Sequence, residues 1–224
     1  MINAKLTGIN REELLRYLGY HGGALPPELL SDIAECEAAV KQTARPRAVW
    51  RVFDLAADGS FAGGAFVPQG EDIRSLLQPC RKAILMAVTL GAEVESLLRR
   101  SQARDMARAA ILDAAASAAV ENVCDNLCAD LQAYFSPLCL TDRFSPGYGD
   151  FPLAQQAELC RVLDVSRRIG VFLSESGLMI PQKSVTALIG VAEHPSEPRH
   201  RSCNTCRLAG SCAYRKEGSH CEQA

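Results

Sequence analysis

Residues 111–123 read ILDAAASAAVENV, the centre of a segment over 104–134 whose pattern predicts one long, alanine-rich helix. Small side chains let neighbouring backbones come close to it. A helix this apolar is buried on most sides and needs a layer to pack on. The flanking sequence supplies one. Residues 82–90, KAILMAVTL, read as a buried strand that stops at Gly91, with a helix over 93–100. Strand patterns return at 138–143, 171–176 and 185–191, with a helix over 153–163. Upstream, Asn10 is an N-cap with Glu13 in the capping-box position. Pro26-Pro27 opens a second helix, 48–55 reads as a strand, 61–67 as a weak strand or loop, and 70–77 as a short helix. The chain is therefore α+β, with a core to about residue 193 and a cysteine-rich tail.

Asp113, Ser117 and Glu121 lie four residues apart, on one face of the long helix. A polar line on so apolar a helix faces either water or a ligand cavity, and a cationic ligand would offset the cost of burying a carboxylate. Spacing leaves both readings open.

Composition excludes several classes. Of 224 residues, 48% are hydrophobic and 22% charged, as in an ordinary globular protein, and a formal net charge of −2 gives no global pull on nucleic acid or an anionic membrane. No apolar run approaches the roughly 18 residues that span a bilayer. The first residues, MINAKLTGINREELL, lack the pattern of a signal peptide, so the expected location is cytoplasmic. Cys36, Cys80, Cys124, Cys128, Cys139 and Cys160 are scattered among apolar residues and read as core filler. Cys203, Cys206, Cys212 and Cys221 fall within the last 22 residues.

Residues 143–152, RFSPGYGDFP, hold a cation and aromatic rings beside a rigid Pro146-Gly147 bend. As a surface turn, the segment needs only an ion pair for Arg143. As a ligand grip, Arg143 offers a planar fork for a carboxylate, the bend exposes backbone N–H and C=O groups, and Tyr148 adds a flat apolar face.

The motif Arg143-Phe-Ser-Pro-Gly-Tyr148 resembles the Arg-x-x-Pro-Gly-Tyr segment of the activation domain of cobalamin-dependent methionine synthase, which binds S-adenosylmethionine. Ser174-Glu-Ser176 with Met179-Ile-Pro181, Ser184-Val185 and His194-Pro195 are similar to further segments of that family in the same order. Ala119-Val-Glu121 falls where the family has an acid on a long helix, and Leu14-Leu-Arg-Tyr-Leu-Gly-Tyr20 resembles the start of its stand-alone members. The resemblance covers 105–195 well and 1–104 thinly, and stops before the tail. It implies a mainly antiparallel, twisted sheet packed with helices over 1–195, followed by a separate tail over 196–224.

It also implies a role as an accessory component of methyltransferase activity. In the family, cob(II)alamin is rescued with one electron from a low-potential donor, flavodoxin or ferredoxin, and a methyl group from S-adenosylmethionine. By resemblance Arg143 pairs with the ligand carboxylate, and Glu121 holds its ammonium or favours the sulfonium, with Asp113 a second candidate. Ser145, Pro146 and Gly147 shape the backbone, Tyr148 packs on the ligand, and Glu175 orients neighbours or faces the corrinoid. The family's later tyrosines are missing: none occurs between His194-Pro195 and Tyr214. No Asp-x-His-x-x-Gly corrinoid motif occurs either, so cobalamin is expected on a partner, methionine synthase or another corrinoid protein.

In the tail, Cys203-Asn-Thr-Cys206, then five residues, Cys212, then eight residues, Cys221, is ligand spacing. Zinc and a [4Fe–4S] cluster both accept four thiolates. Two other functions compete: a non-catalytic, S-adenosylmethionine-binding regulator or scaffold, and a nucleic-acid binder using the tail's arginines. The acidic balance of the chain speaks against the second.

Overall fold

The computed structural model describes residues 4–195 except His21, Gly23 and Ala57. Asn10 accepts from the Glu12 and Glu13 amides and starts α1 (Arg11–Tyr17), a cap of the kind that contributes about 1 kcal/mol. Pro27 opens α2 (Pro27–Thr43), where its missing N–H costs nothing. Strand β1 (Arg47–Asp54) follows, then a single 3-10 turn at Ala62–Gly64 where a weak strand or loop was expected. Next come α3 (Glu71–Leu77), β2 (Cys80–Thr89), α4 (Ala92–Gln102) and α5 (Met106–Phe135). Asp105 caps α5 by accepting from the Arg108 amide. Beyond it lie β3 (Cys139–Leu140), α6 (Gln155–Leu163), α7 (Val165–Ile169), β4 (Phe172–Leu173), β5 (Met179–Ile180) and β6 (Ser184–Ala192). No helix among the described residues is long and apolar enough to cross a membrane.

The main sheet has the order β1-β2-β6-β3, and every pairing is antiparallel. Strands β2 and β6 are central and buried on both faces, which is why their sequences are nearly continuous apolar runs. Alternation sorts them into two cores. Ile84, Met86, Val88, Ala187, Ile189 and Val191 pack against α1, α2, α4 and α5. Ala83, Leu85, Ala87 and Leu188 pack on the other face, against Phe61, Phe66, Phe151 and residues of α3, α6 and α7. The result is helices, sheet, helices. Ala115, Ala116, Ala118 and Ala119 of α5 are fully buried, as the alanine run predicted.

The strands expected at 138–143 and 171–176 are shorter. The second is the two-residue β4, paired with β5 in a hairpin whose turn holds Glu175. The first stops for a physical reason. Continued in register, Leu140 opposite Val191 would set Arg143 opposite Leu188; Phe144 sits there instead. One extra residue has entered the edge strand, a bulge.

Candidate functional site

That bulge aims the site. Leu188 points into the α6–α7 core, so an in-register Arg143 would point there too. With the slip, Phe144 takes that face and packs into the core, and Arg143 turns towards α5. Arg143 Nη2 donates to Glu121 Oε2 at 2.9 Å and to Asp125 Oδ1 at 2.8 Å. Its Nη1 is buried and has no hydrogen-bond partner. The polar line on α5 is thus one turn longer than the sequence suggested. At its other end Lys183 Nζ bonds Asp113 Oδ1 and Ser117 Oγ, each at 2.9 Å, while Ser117 Oγ donates to the Asp113 carbonyl. The acids of this line are half-buried at Asp113 and Glu121 and exposed at Asp125, and the protein's own Lys183 and Arg143 pair with them.

Helix α1 closes the site from the opposite end of the chain. Burial raises the Glu13 pKa; Arg16 opposes that, Glu121 and Asp125 add to it, and Arg143 opposes it. Burial also raises the Tyr17 pKa, and Glu121 and Tyr148 add to it. Both residues therefore lie within electrostatic reach of the Arg143 cluster. Burial works against the Arg143 cation, while Cys124, Cys128, Glu121 and Asp125 favour it, and the balance is upward. Burial pushes the Cys128 thiol up to about 11 and Cys124 higher still. These thiols carry no charge at neutral pH, so the acids that hold Arg143 there are Glu121 and Asp125.

The bend is a tight turn, but its amides do not face a ligand as expected. Tyr148 N–H donates to the Ser145 carbonyl and Gly147 N–H to the Phe151 carbonyl. With φ of 95° at Gly147, this is the turn in which the residue after proline is glycine. Pro146 is buried and Tyr148 is half exposed, its ring edge-on to Phe144 at 6.1 Å. Gly149-Asp150, for which the sequence offered no account, anchors the bend. The Asp150 carboxylate accepts from the Glu71 and Asp72 amides at the start of α3, and Asp72 accepts from the Asp150 amide. A Cβ on Gly149, at φ of 50°, would fall on the Asp72 carboxylate, and one on Gly70 would lie 2.6 Å from Asp150. Gln155 adds a second tie, accepting from Gln69 N–H and donating to the Val67 carbonyl.

A pocket of about 320 Å³ opens beside the line, between Tyr17, Met106, Ala110 and Asp113. A second, of about 410 Å³, lies where β2 begins and β6 ends, lined by Arg81, Glu193 and His194 among others. Glu175 stands on the exposed hairpin turn, which Gln156 ties to α6 through the Gly177 carbonyl, and none of the described contacts joins it to Arg143. Ser145, Pro146, Gly147, Tyr148, Glu121 and Arg143 are therefore brought together and Glu175 is not. Sequence reasoning missed Asp125, Glu13, Tyr17 and Lys183. Asp125 was legible, as the next step of the four-residue spacing. No group of three or more potential metal ligands occurs among the described residues, and the four tail cysteines lie outside them.

No family model matches the chain, and no curated protein matches it in sequence. A solved structure, the MetH reactivation domain bound to AdoHcy, matches with a TM-score of 0.60 at 15% identity, over 96% of this chain and 86% of that one. The chain has the fold of the MetH reactivation domain.

Proposed function

We propose that the chain binds S-adenosylmethionine and serves as the reactivation partner of a corrinoid methyltransferase, methionine synthase or another corrinoid protein. One observation carries the reading: in this fold, an arginine fork on an edge bulge lies within hydrogen-bond distance of a helical glutamate, beside a Pro-Gly-Tyr bend. A zwitterion needs such a pair. Arg143 binds the carboxylate, and Glu121 takes the ammonium or stabilises the sulfonium. Ser145, Pro146 and Gly147 fix the backbone, and Tyr148, half exposed, covers the ligand. Glu175, on the far hairpin, fits a contact with the corrinoid protein better than one with the ligand.

The chemistry would come from the bound S-adenosylmethionine as methyl donor, from the partner's cobalamin as methyl acceptor, and from flavodoxin or ferredoxin as the source of one electron. This chain supplies position and electrostatics. Burial raises the thiols of Cys36, Cys80, Cys124, Cys128 and Cys160, so none of these five is activated. Spacing alone supports a metal at Cys203, Cys206, Cys212 and Cys221; stoichiometric zinc in the purified protein, or a chromophore after anaerobic reconstitution with iron and sulfide, distinguishes the two candidates, and neither result would remove the metal from the reading.

Calorimetric titration with S-adenosylmethionine tests the function. Arg143→Ala should weaken binding by about 1.5–3 kcal/mol, the range for a charge-assisted hydrogen bond. Absence of binding by the wild type would mean that the chain has kept the fold and not the ligand.

A further inference from the structure

We propose that Asp125 occupies the place of the ligand's α-carboxylate on Arg143, so that ligand binds by exchanging one carboxylate for another. This rests on the reading of the site as an S-adenosylmethionine seat, and it identifies Asp125 as a residue that sets affinity for ligands bearing a carboxylate. Four observations support it. Arg143 is held through Nη2 alone, by two acids at once, while Nη1 has no partner. A guanidinium in this state has not made the two-pronged contact to which its geometry is suited.

The two acids are not equivalent. The Glu121 side chain is 27% exposed and that of Asp125 is 65% exposed. Releasing Asp125 to water is therefore the cheaper step, since exposed pairs contribute little. Glu121, more enclosed, stays on Arg143 and faces the ligand's cationic groups.

Charge conservation points the same way. Glu13, Glu121 and Asp125 surround Arg143 and Arg16, so acids already outnumber cations in the cluster. The ligand's ammonium and sulfonium lessen that excess as a whole, but its carboxylate would be a third acid on the one guanidinium. An exchange keeps Arg143 between two acids. It also gives Nη1 the acceptor that it lacks, because an incoming carboxylate can span both nitrogens.

The test compares wild type with Asp125→Asn, which keeps the size of the side chain, by calorimetry against two probes: S-adenosylmethionine and its decarboxylated counterpart. Exchange predicts that Asp125→Asn tightens S-adenosylmethionine at least threefold and does not tighten the decarboxylated compound, which never competes for Arg143. If Asp125 instead grips the ligand's ammonium, the variant weakens both, and the proposal is overturned. Equal tightening of both probes also overturns it, since that would be a general effect of charge. Binding by the wild type with no change in the variant sinks the exchange and leaves the assigned ligand intact. Failure of both proteins to bind sinks the assigned ligand and the exchange with it.

Discussion

Gly149→Ala puts the anchoring of the bend to a quantitative test. At φ of 50° an alanine adopts the left-handed region at a cost of about 1–2 kcal/mol. Its methyl group also falls on the Asp72 carboxylate, which must leave the Asp150 amide it accepts from at 3.2 Å; losing that bond costs about 0.5–1.5 kcal/mol. The smaller gain from a stiffer unfolded chain offsets part of this, about 0.4–1 kcal/mol. The net loss is then about 1–2.5 kcal/mol, or a fall in Tm of roughly 2–10 °C for a domain of this length. Thermal melts of four proteins resolve the two terms: wild type, Gly149→Ala, Asp72→Ala and the double variant. In the Asp72→Ala background the methyl group has room, so Gly149→Ala should cost about 1 kcal/mol less there. Equal cost in both backgrounds would refute the steric account and leave only backbone strain. Gly147→Ala, whose Cβ would meet nothing closer than Leu153 Cδ1 at 3.7 Å, serves as the strain-only comparison.

Two further outcomes are expected. Glu13 holds its proton more tightly folded than unfolded, so its contribution to stability falls as pH rises from the ordinary carboxylate value through its raised one. Glu13→Gln should therefore raise Tm at pH 7 and leave it unchanged below the ordinary carboxylate pKa; a lower Tm at pH 7 would show that the pairing with Arg16 outweighs burial. Deleting Asp142 removes the extra residue of the bulge, leaves Phe144 opposite Leu188 and sets Arg143 opposite Ile189, on the α5 face of a regular strand. A variant that still melts cooperatively should then keep binding S-adenosylmethionine, because Arg143 stays on the face it needs, and loss of binding would mean that the bulge does more than choose that face.

Much of the scaffold was legible because it is governed by local rules. Asn10 and Pro27 start helices by capping and by fixed φ, and the alanine run forms α5 whatever surrounds it. The apolar runs of β2 and β6 identify central strands. What escaped depends on distant partners. Strand β3 is two residues long because a register slip ends it, and a slip leaves no local pattern. Asp150 caps α3 from about eighty residues away, where only Gly70 before Glu71 hinted at an end in need of one. Lys183 reads as an ordinary lysine until β6 brings it beneath α5. Glu13 and Tyr17 reach Arg143 only because α1 packs across α5.

The alanines of α5 also act as a shim. Ala115, Ala116 and Ala119, whose side chains end at Cβ, are fully buried on a helix that packs on β2 and β6, while Glu121 and Asp125 ride on the same rigid rod and Arg143 is fixed to the sheet edge. The clearance under the rod therefore sets the gap between cation and acids. A leucine in place of Ala119 would lift the rod and widen that gap from beneath, without touching a single charged group, so the affinity of the site is partly written in residues that never meet the ligand.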